Sequence, residues 1–167
     1  PLLVRGQVAS EGFAEGPATI RDPTREHGRL MAQRFEREYT IDEFHAAVER
    51  TGKQLEDLQG RLGERLPEMA SLIFDAHLMM LRDPTFIGEM TARIEAGENP
   101  PDVVLQVSHT YVDLLSASPH AYIREKTHDV EDLSARLLKN LIGESDGEDL
   151  VSAESGMIVI ARDLYPS

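Results

Sequence analysis

Cysteine and tryptophan are both absent from the 167 residues, and aromatic residues make up only 5% of them. The absence of cysteine excludes disulfide bonds and thiolate metal sites, and it fits a reducing compartment. No apolar run approaches the roughly 18 residues that a membrane-spanning helix needs. The chain also lacks a basic segment followed by an apolar one at its start, so nothing indicates secretion. We therefore expect a cytoplasmic protein without a membrane span.

Basic residues are scarce as well: 17 Lys and Arg stand against 30 Asp and Glu, for a formal net charge of −13. This balance argues against binding to nucleic acids or to anionic membranes, because both require a basic surface. An acidic surface can attract a cationic protein partner and raise the rate of encounter. It can equally serve only to keep the protein in solution. The charge by itself leaves these two explanations open.

The chain divides by pattern into three zones. Residues 1–34 hold short strands and a connection, residues 35–143 are helical almost throughout, and residues 144–167 form an acidic loop and a strand. Strands are predicted at residues 3–9, 16–20 and 157–161, where β-branched and apolar residues lie between turn residues. The last of these would be buried on both faces if its sheet were complete. The chain begins with Pro1 rather than Met, so we expect it to be part of a longer protein.

The helical zone carries clear start and stop signals. Thr40 and Glu43 have the spacing of a capping box, and Pro67 suits the first position of a new helix. Pro84 interrupts one helix, and Gly143 ends the last one, for which Ser118-Pro119 is the predicted start. Short connections favour antiparallel neighbours. The fold class predicted is mainly α: an up-and-down bundle of four helices, one of them broken at Pro84.

The helix around residues 73–83 is apolar over most of its circumference. One of its stripes mixes acidic with apolar residues: Glu68, Leu72, Asp75, Met79 and Asp83. Such a stripe suits a protein partner, because Met adapts its shape and carboxylates pair with Arg or Lys. The alternative is that the whole helix is central and its Met residues fill the core.

No metal or catalytic centre is predicted within the chain. Glu125 and His128 have the Glu-x-x-His spacing of di-iron bundles, but such a site needs two copies and only one is present. A metal-binding bundle therefore stays a minor alternative. The six histidines are scattered, and no nucleophile triad or phosphate-binding glycine loop accompanies them. Their positions are His27, His45, His77, His109, His120 and His128.

Four segments together resemble one protein family in their order and composition. They are Ala9-Ser10-Glu11-Gly12 with Gly16, Ile73–His77 with Met79, Leu81 and Asp83, Tyr122–Leu138 with Asp129, Asp132 and Arg136, and Ile158–Ala161 with Asp163-Leu164 and Pro166-Ser167. The family is Enzyme I of the bacterial phosphoenolpyruvate-dependent phosphotransferase system. The resemblance covers essentially the whole chain, and the differences at Glu11 and Glu125–Thr127 suggest a nitrogen-type or other regulatory member.

The resemblance implies a helical bundle inserted into an α/β subdomain, of which residues 1–34 and 144–167 would be parts. It implies a phosphotransferase in which a histidine outside this chain carries the phosphoryl group, while the bundle docks an HPr-like phosphocarrier protein. Magnesium and phosphoenolpyruvate would bind to a further domain, so no cofactor is expected here. The parent is expected to be a homodimer, and this chain a monomer without phosphotransfer activity. A non-catalytic helical adaptor is the alternative.

The docking residues implied by the resemblance agree with the mixed stripe. They are Glu68, Asp75, Met79, Met80, Asp83, Leu115, Ile123 and Lys126. At Lys126 the family commonly has Arg, so a planar, bidentate donor is replaced by a point charge.

Overall fold

The computed structural model describes residues 11–21, 30, 35, 37–63, 67–143 and 156–161. The predicted strand at residues 3–9 and the acidic loop after Gly143 lie outside these residues. Within them the helices are α1 (Ile41–Gly63), α2 (Pro67–Leu81), α3 (Phe86–Glu95), α4 (Pro100–Ser116) and α5 (Ala121–Ile142), and the strands are β1 (Ala18–Arg21) and β2 (Ile158–Ala161). None of the described helices is both long enough and apolar enough to span a lipid bilayer.

Contacts between the helices define an up-and-down bundle. Neighbouring helices are antiparallel: along each pair of contacting helices, residue numbers rise on one helix while they fall on the other. The helices α2 and α3 together form the second of the four members of the bundle, which is broken at Pro84. The pairs that show these directions are Gln59–Asp75 and Glu56–Arg82 between α1 and α2, Phe86–Tyr111 and Arg93–Gln106 between α3 and α4, and Gln54–Arg136 and Arg50–Asn140 between α1 and α5. The predicted fold class is confirmed.

Local sequence signals mark several of the helix ends. At the start of α1 the Thr40 N–H donates to Glu43 Oε2 at 2.8 Å, and the Glu43 N–H donates to Thr40 Oγ1 at 3.2 Å. These reciprocal bonds are the predicted capping box. Pro67 and Pro100 occupy first helical positions, and Gly143 ends α5 with a φ of 76°, a left-handed conformation that favours glycine.

The predicted start of α5 at Ser118-Pro119 is wrong. The helix begins at Ala121, and His120 precedes it with extended backbone angles. Ser118 Oγ accepts a hydrogen bond from the His120 N–H at 3.3 Å, so Ser118 stabilises a turn before the helix instead of capping it.

The break at Pro84 separates α2 from α3 as predicted. The Asp83 carboxylate accepts the Thr85 N–H at 2.6 Å, and hydrogen bonds from the Thr85 and Phe86 backbone lower the pKa of Asp83. Asp83 is therefore charged and held at the corner where the chain changes helix.

The core lies between the helices, and α1 contributes to it the buried side chains of Phe44, Thr51 and Leu55, which recur at helical spacing. Contributions from the other helices include Phe74, Met90, Val104, Val107, Leu133, Leu137 and Leu138. Near the end of α4, Leu114 is 69% exposed, whereas the neighbouring Leu115 packs partly against the core.

The two described strands form a small parallel sheet in which Ala18 is opposite Ile158. Ile20, Val159 and Ile160 are all exposed, since neither strand has a further described neighbour. A side chain at Gly16 would come within 2.8 Å of the Gly156 carbonyl oxygen, so glycine is needed where the chain segments meet.

We expect Thr40→Ala to lower the free energy of unfolding by about 1 kcal/mol, because the mutation removes the acceptor for the Glu43 N–H at the start of α1. Urea unfolding followed by circular dichroism measures this change. Thr110→Ala on the exposed side of α4 is the matched control and should change stability by no more than about 0.5 kcal/mol. Equal losses of unfolding free energy in the two variants would show that the capping box stabilises the protein no more than an exposed threonine elsewhere on a helix.

Candidate protein-docking surface

The mixed stripe of α2 faces away from the bundle. Leu72 and Met79 are each 74% exposed, and Asp75 and Asp83 are exposed as well. They are exposed although the other side of the same helix contributes to the core. The core-filling alternative is therefore wrong for Met79.

The inner side of the same helix supplies the packing that holds this stripe in place. Phe74 and His77 are each 1% exposed, and Leu78 and Leu81 are also buried. Met80 lies between the two sides and packs partly against the core. Because buried and exposed residues alternate at helical spacing, the packing of α2 fixes which side chains it presents to solvent.

A shallow cleft of about 590 Å³ runs along the C-terminal half of α2 and into the corner at Pro84. Its lining consists of Asp75, Leu78, Met79, Arg82, Asp83 and Pro84. The structure thus brings together three of the predicted docking residues, Asp75, Met79 and Asp83. We call the exposed Leu72, Asp75, Met79 and Asp83 the α2 surface.

Two contacts with α1 orient the polar groups of the cleft. The Gln59 side-chain amide donates to Asp75 Oδ1 at 2.8 Å, and Arg82 forms an ion pair with Glu56 at 2.7 Å. Both contacts are exposed, so each contributes little to stability. The ion pair directs the Arg82 guanidinium towards Glu56 of α1, and the Gln59 amide orients the Asp75 carboxylate at the cleft.

The predicted docking residues of α4 and α5 are Leu115, Ile123 and Lys126, and all three are half-buried. The Lys126 ammonium donates to Asp129 Oδ2 at 2.8 Å and lies 5.6 Å from the centre of the Tyr122 ring. The hydrogen bond to Asp129 raises the pKa of Lys126. Lys126 is therefore a charge that is already paired with Asp129, three residues further along the same helix.

Glu68 lies on α2, but its side chain is outside the described residues. Three cleft residues were absent from the sequence prediction: Leu78, Arg82 and Pro84. The helix break at Asp83-Pro84 could have indicated Arg82 and Pro84 as cleft residues, because residues at a break turn towards the surface. Leu78 gave no such signal, since it belongs to the core and reaches the cleft only with its edge.

Metal ligation finds no support in the donor groups of the described residues. No three His, Asp or Glu side chains among them are grouped closely enough to hold a metal ion. His128 of the predicted Glu-x-x-His pair faces Glu131 on its own helix, with Nδ1 3.4 Å from the carboxylate.

Comparison with known protein families and sequences gives a consistent result. The family described as "PEP-utilising enzyme, N-terminal" matches residues 5–126. A phosphoenolpyruvate-protein phosphotransferase of Latilactobacillus sakei is 30% identical over 98% of the chain, and that of Mycoplasma pneumoniae is 32% identical over 73%. The aligned chain spans only 29% and 21% of the lengths of these two relatives.

Two solved structures share the fold. A solution structure of an Enzyme I protein has a TM-score of 0.62 and 21% sequence identity to this chain. The superposition covers 94% of this chain and 58% of the Enzyme I chain. The N-terminal domain of the nitrogen-type Enzyme 1 has a TM-score of 0.65 and 19% sequence identity to this chain. The superposition covers 83% of this chain and 66% of that domain's chain.

Proposed function

The chain belongs to the family of PEP-utilising enzymes, of which it contains the N-terminal region, and from this premise we propose that it docks a small cationic phosphocarrier protein. The carrier would be similar to HPr. The phosphoryl group would pass to it from a histidine elsewhere in a phosphoenolpyruvate-protein phosphotransferase. The docking residues would be those of the predicted set, with Asp75, Met79 and Asp83 at the centre.

The observation that carries this proposal is the exposure of Met79 between two carboxylates on a well-packed helix. An adaptable apolar side chain flanked by fixed negative charges is complementary to a basic, partly apolar surface. The net charge of −13 would add long-range attraction for such a partner. Phosphoryl transfer requires donor and acceptor to be in line, and docking supplies that alignment.

The histidines of the described residues do not suggest a phosphoryl acceptor within the bundle. His77 is 1% exposed, so its ring is out of reach of a second protein. His45, His109, His120 and His128 are exposed, and among the described residues none of them belongs to a group of three side chains that could hold a metal ion. In this proposal, magnesium and phosphoenolpyruvate bind outside this chain, and the described residues do not serve as metal ligands. The whole protein would work in the cytoplasm.

The test is a titration of isotope-labelled HPr-like carrier with the chain, followed by NMR. We expect a dissociation constant below about 1 mM at low salt. Raising the ionic strength from about 0.01 M to about 1 M shortens the screening length from about 30 Å to about 3 Å, so affinity should fall at least about tenfold. No chemical-shift change at low salt would contradict the docking function and favour an adaptor for some other protein.

A further inference from the structure

His77 is a buried titratable group to which the docking function assigns no role. Its ring lies between two carboxylates of α5: Nε2 is 3.8 Å from Asp129 Oδ1, and Nδ1 is 4.0 Å from Asp132 Oδ2. Within the part of the chain that the structure describes, neither ring nitrogen has a hydrogen-bond partner. A neutral imidazole can donate to only one carboxylate, whereas the protonated ring can donate to both. The pair of acceptors therefore suits the protonated ring.

Asp129 connects this buried ring to the docking surface. Its Oδ2 accepts the Lys126 ammonium at 2.8 Å, while its Oδ1 faces His77. His77 also lies on α2 midway between Asp75 and Met79, on the opposite side of the helix. A charge on His77 would thus lie directly beneath the acidic stripe and beside the carboxylate that neutralises Lys126.

Burial and nearby charges act on His77 in opposite directions. Burial lowers the pKa of His77. The charges of Asp132 and Asp129 raise this pKa, whereas those of Arg136 and Lys126 lower it further. Among the described residues, these four charged groups all lie on α5. The net pKa is lower than the ordinary value of about 6.5. Burial therefore favours the neutral ring at pH 7, and proton uptake requires acidification below the ordinary pKa of a histidine.

We propose that His77 is a positioning residue through which proton uptake weakens the binding of the cationic carrier. The added charge makes the potential beneath Asp75 and Met79 more positive, and it draws Asp129 away from Lys126, whose own charge is then less neutralised. Both effects repel a cationic partner. By linkage, a bound carrier makes proton uptake by His77 harder by the same factor. This inference rests on the docking function proposed above.

The test compares carrier affinity for the native chain and for His77→Gln at about pH 7.5 and about pH 5.5. Glutamine keeps an amide that can donate to one carboxylate but cannot gain a charge. We expect the native chain to lose about fivefold more affinity than the variant on acidification. The carrier and the rest of the chain are the same in both measurements, so any pH dependence of their own cancels.

Equal pH dependence in the two proteins would overturn the role of His77 while leaving the docking function intact. No binding by either protein at any pH would overturn the docking function, and this inference with it.

A second measurement needs neither carrier nor variant. Nitrogen-15 NMR of the native chain follows the ring nitrogens of His77 and the ammonium of Lys126 as the pH falls. We expect the Lys126 signal to shift in step with protonation of His77, because Asp129 is shared between them. A Lys126 signal that stays constant while His77 titrates, or a ring that stays neutral until the protein unfolds, would contradict the proposal.

Discussion

Asp75→Lys is expected to weaken binding of the cationic carrier by a factor of about 30 or more. The substitution removes one of the two carboxylates of the cleft and places a like charge against the partner, and the exposed Met79 beside it loses a complementary neighbour. Asp75 is exposed, so the fold should change little although the substitution removes the acceptor of the Gln59 amide at 2.8 Å. Isothermal titration calorimetry of the carrier against each variant measures the effect.

Glu95→Lys is the matched control for this charge reversal. Glu95 is exposed at the C-terminal end of α3, about 15 Å along that helix from the break at Pro84, and the mutation changes the net charge by the same amount. It should weaken binding only about two- to threefold, through the long-range field. Equal losses in the two variants would mean that overall charge, and not the α2 surface, attracts the carrier.

Phe74→Ala is expected to lower the free energy of unfolding by about 3 to 5 kcal/mol. Phe74 is 1% exposed in the core beneath the α2 surface, so truncation removes buried apolar area and leaves a cavity. For a bundle of this size such a loss is a large share of total stability. Thermal or urea unfolding of the purified chain measures it.

Met79→Ala, five residues further along α2, separates stability from docking. Met79 is 74% exposed, so its truncation should change the free energy of unfolding by no more than about 0.5 kcal/mol. It should nevertheless weaken carrier binding by about five- to thirtyfold, as for an apolar anchor at the centre of an interface. A Met79→Ala protein that is strongly destabilised, or one that binds the carrier normally, would contradict the assignment of this face.

Much of the helical architecture was predictable because its determinants are local. The Thr40 and Glu43 pair, Pro67, the break at Pro84 and the glycine at 143 act through backbone groups a few residues away, and the structure places helix ends at or next to each. The error at Ser118-Pro119 has the same origin. A serine followed by proline can cap a helix or stabilise a turn, and only the neighbouring backbone decides between them.

The exposure of the α2 surface was only partly predictable. Helical spacing grouped Asp75, Met79 and Asp83 on one stripe, but the other stripes of α2 were just as apolar, so spacing could not show which one faced solvent. The half-buried positions of Met80, Leu115 and Ile123 also depend on how closely the helices pack. Contacts between residues distant in sequence supply that information.

The sequence by itself determined the helices, most of their ends, the acidic character and the stripe that carries Met79. Only the tertiary structure decided that this stripe is exposed and that His77 lies between Asp129 and Asp132. The physical reason is distance along the chain. Capping and helical periodicity act within a turn or two, whereas burial and charge pairing depend on helices that meet after more than fifty residues of intervening chain, as His77 meets Asp129 and Asp132.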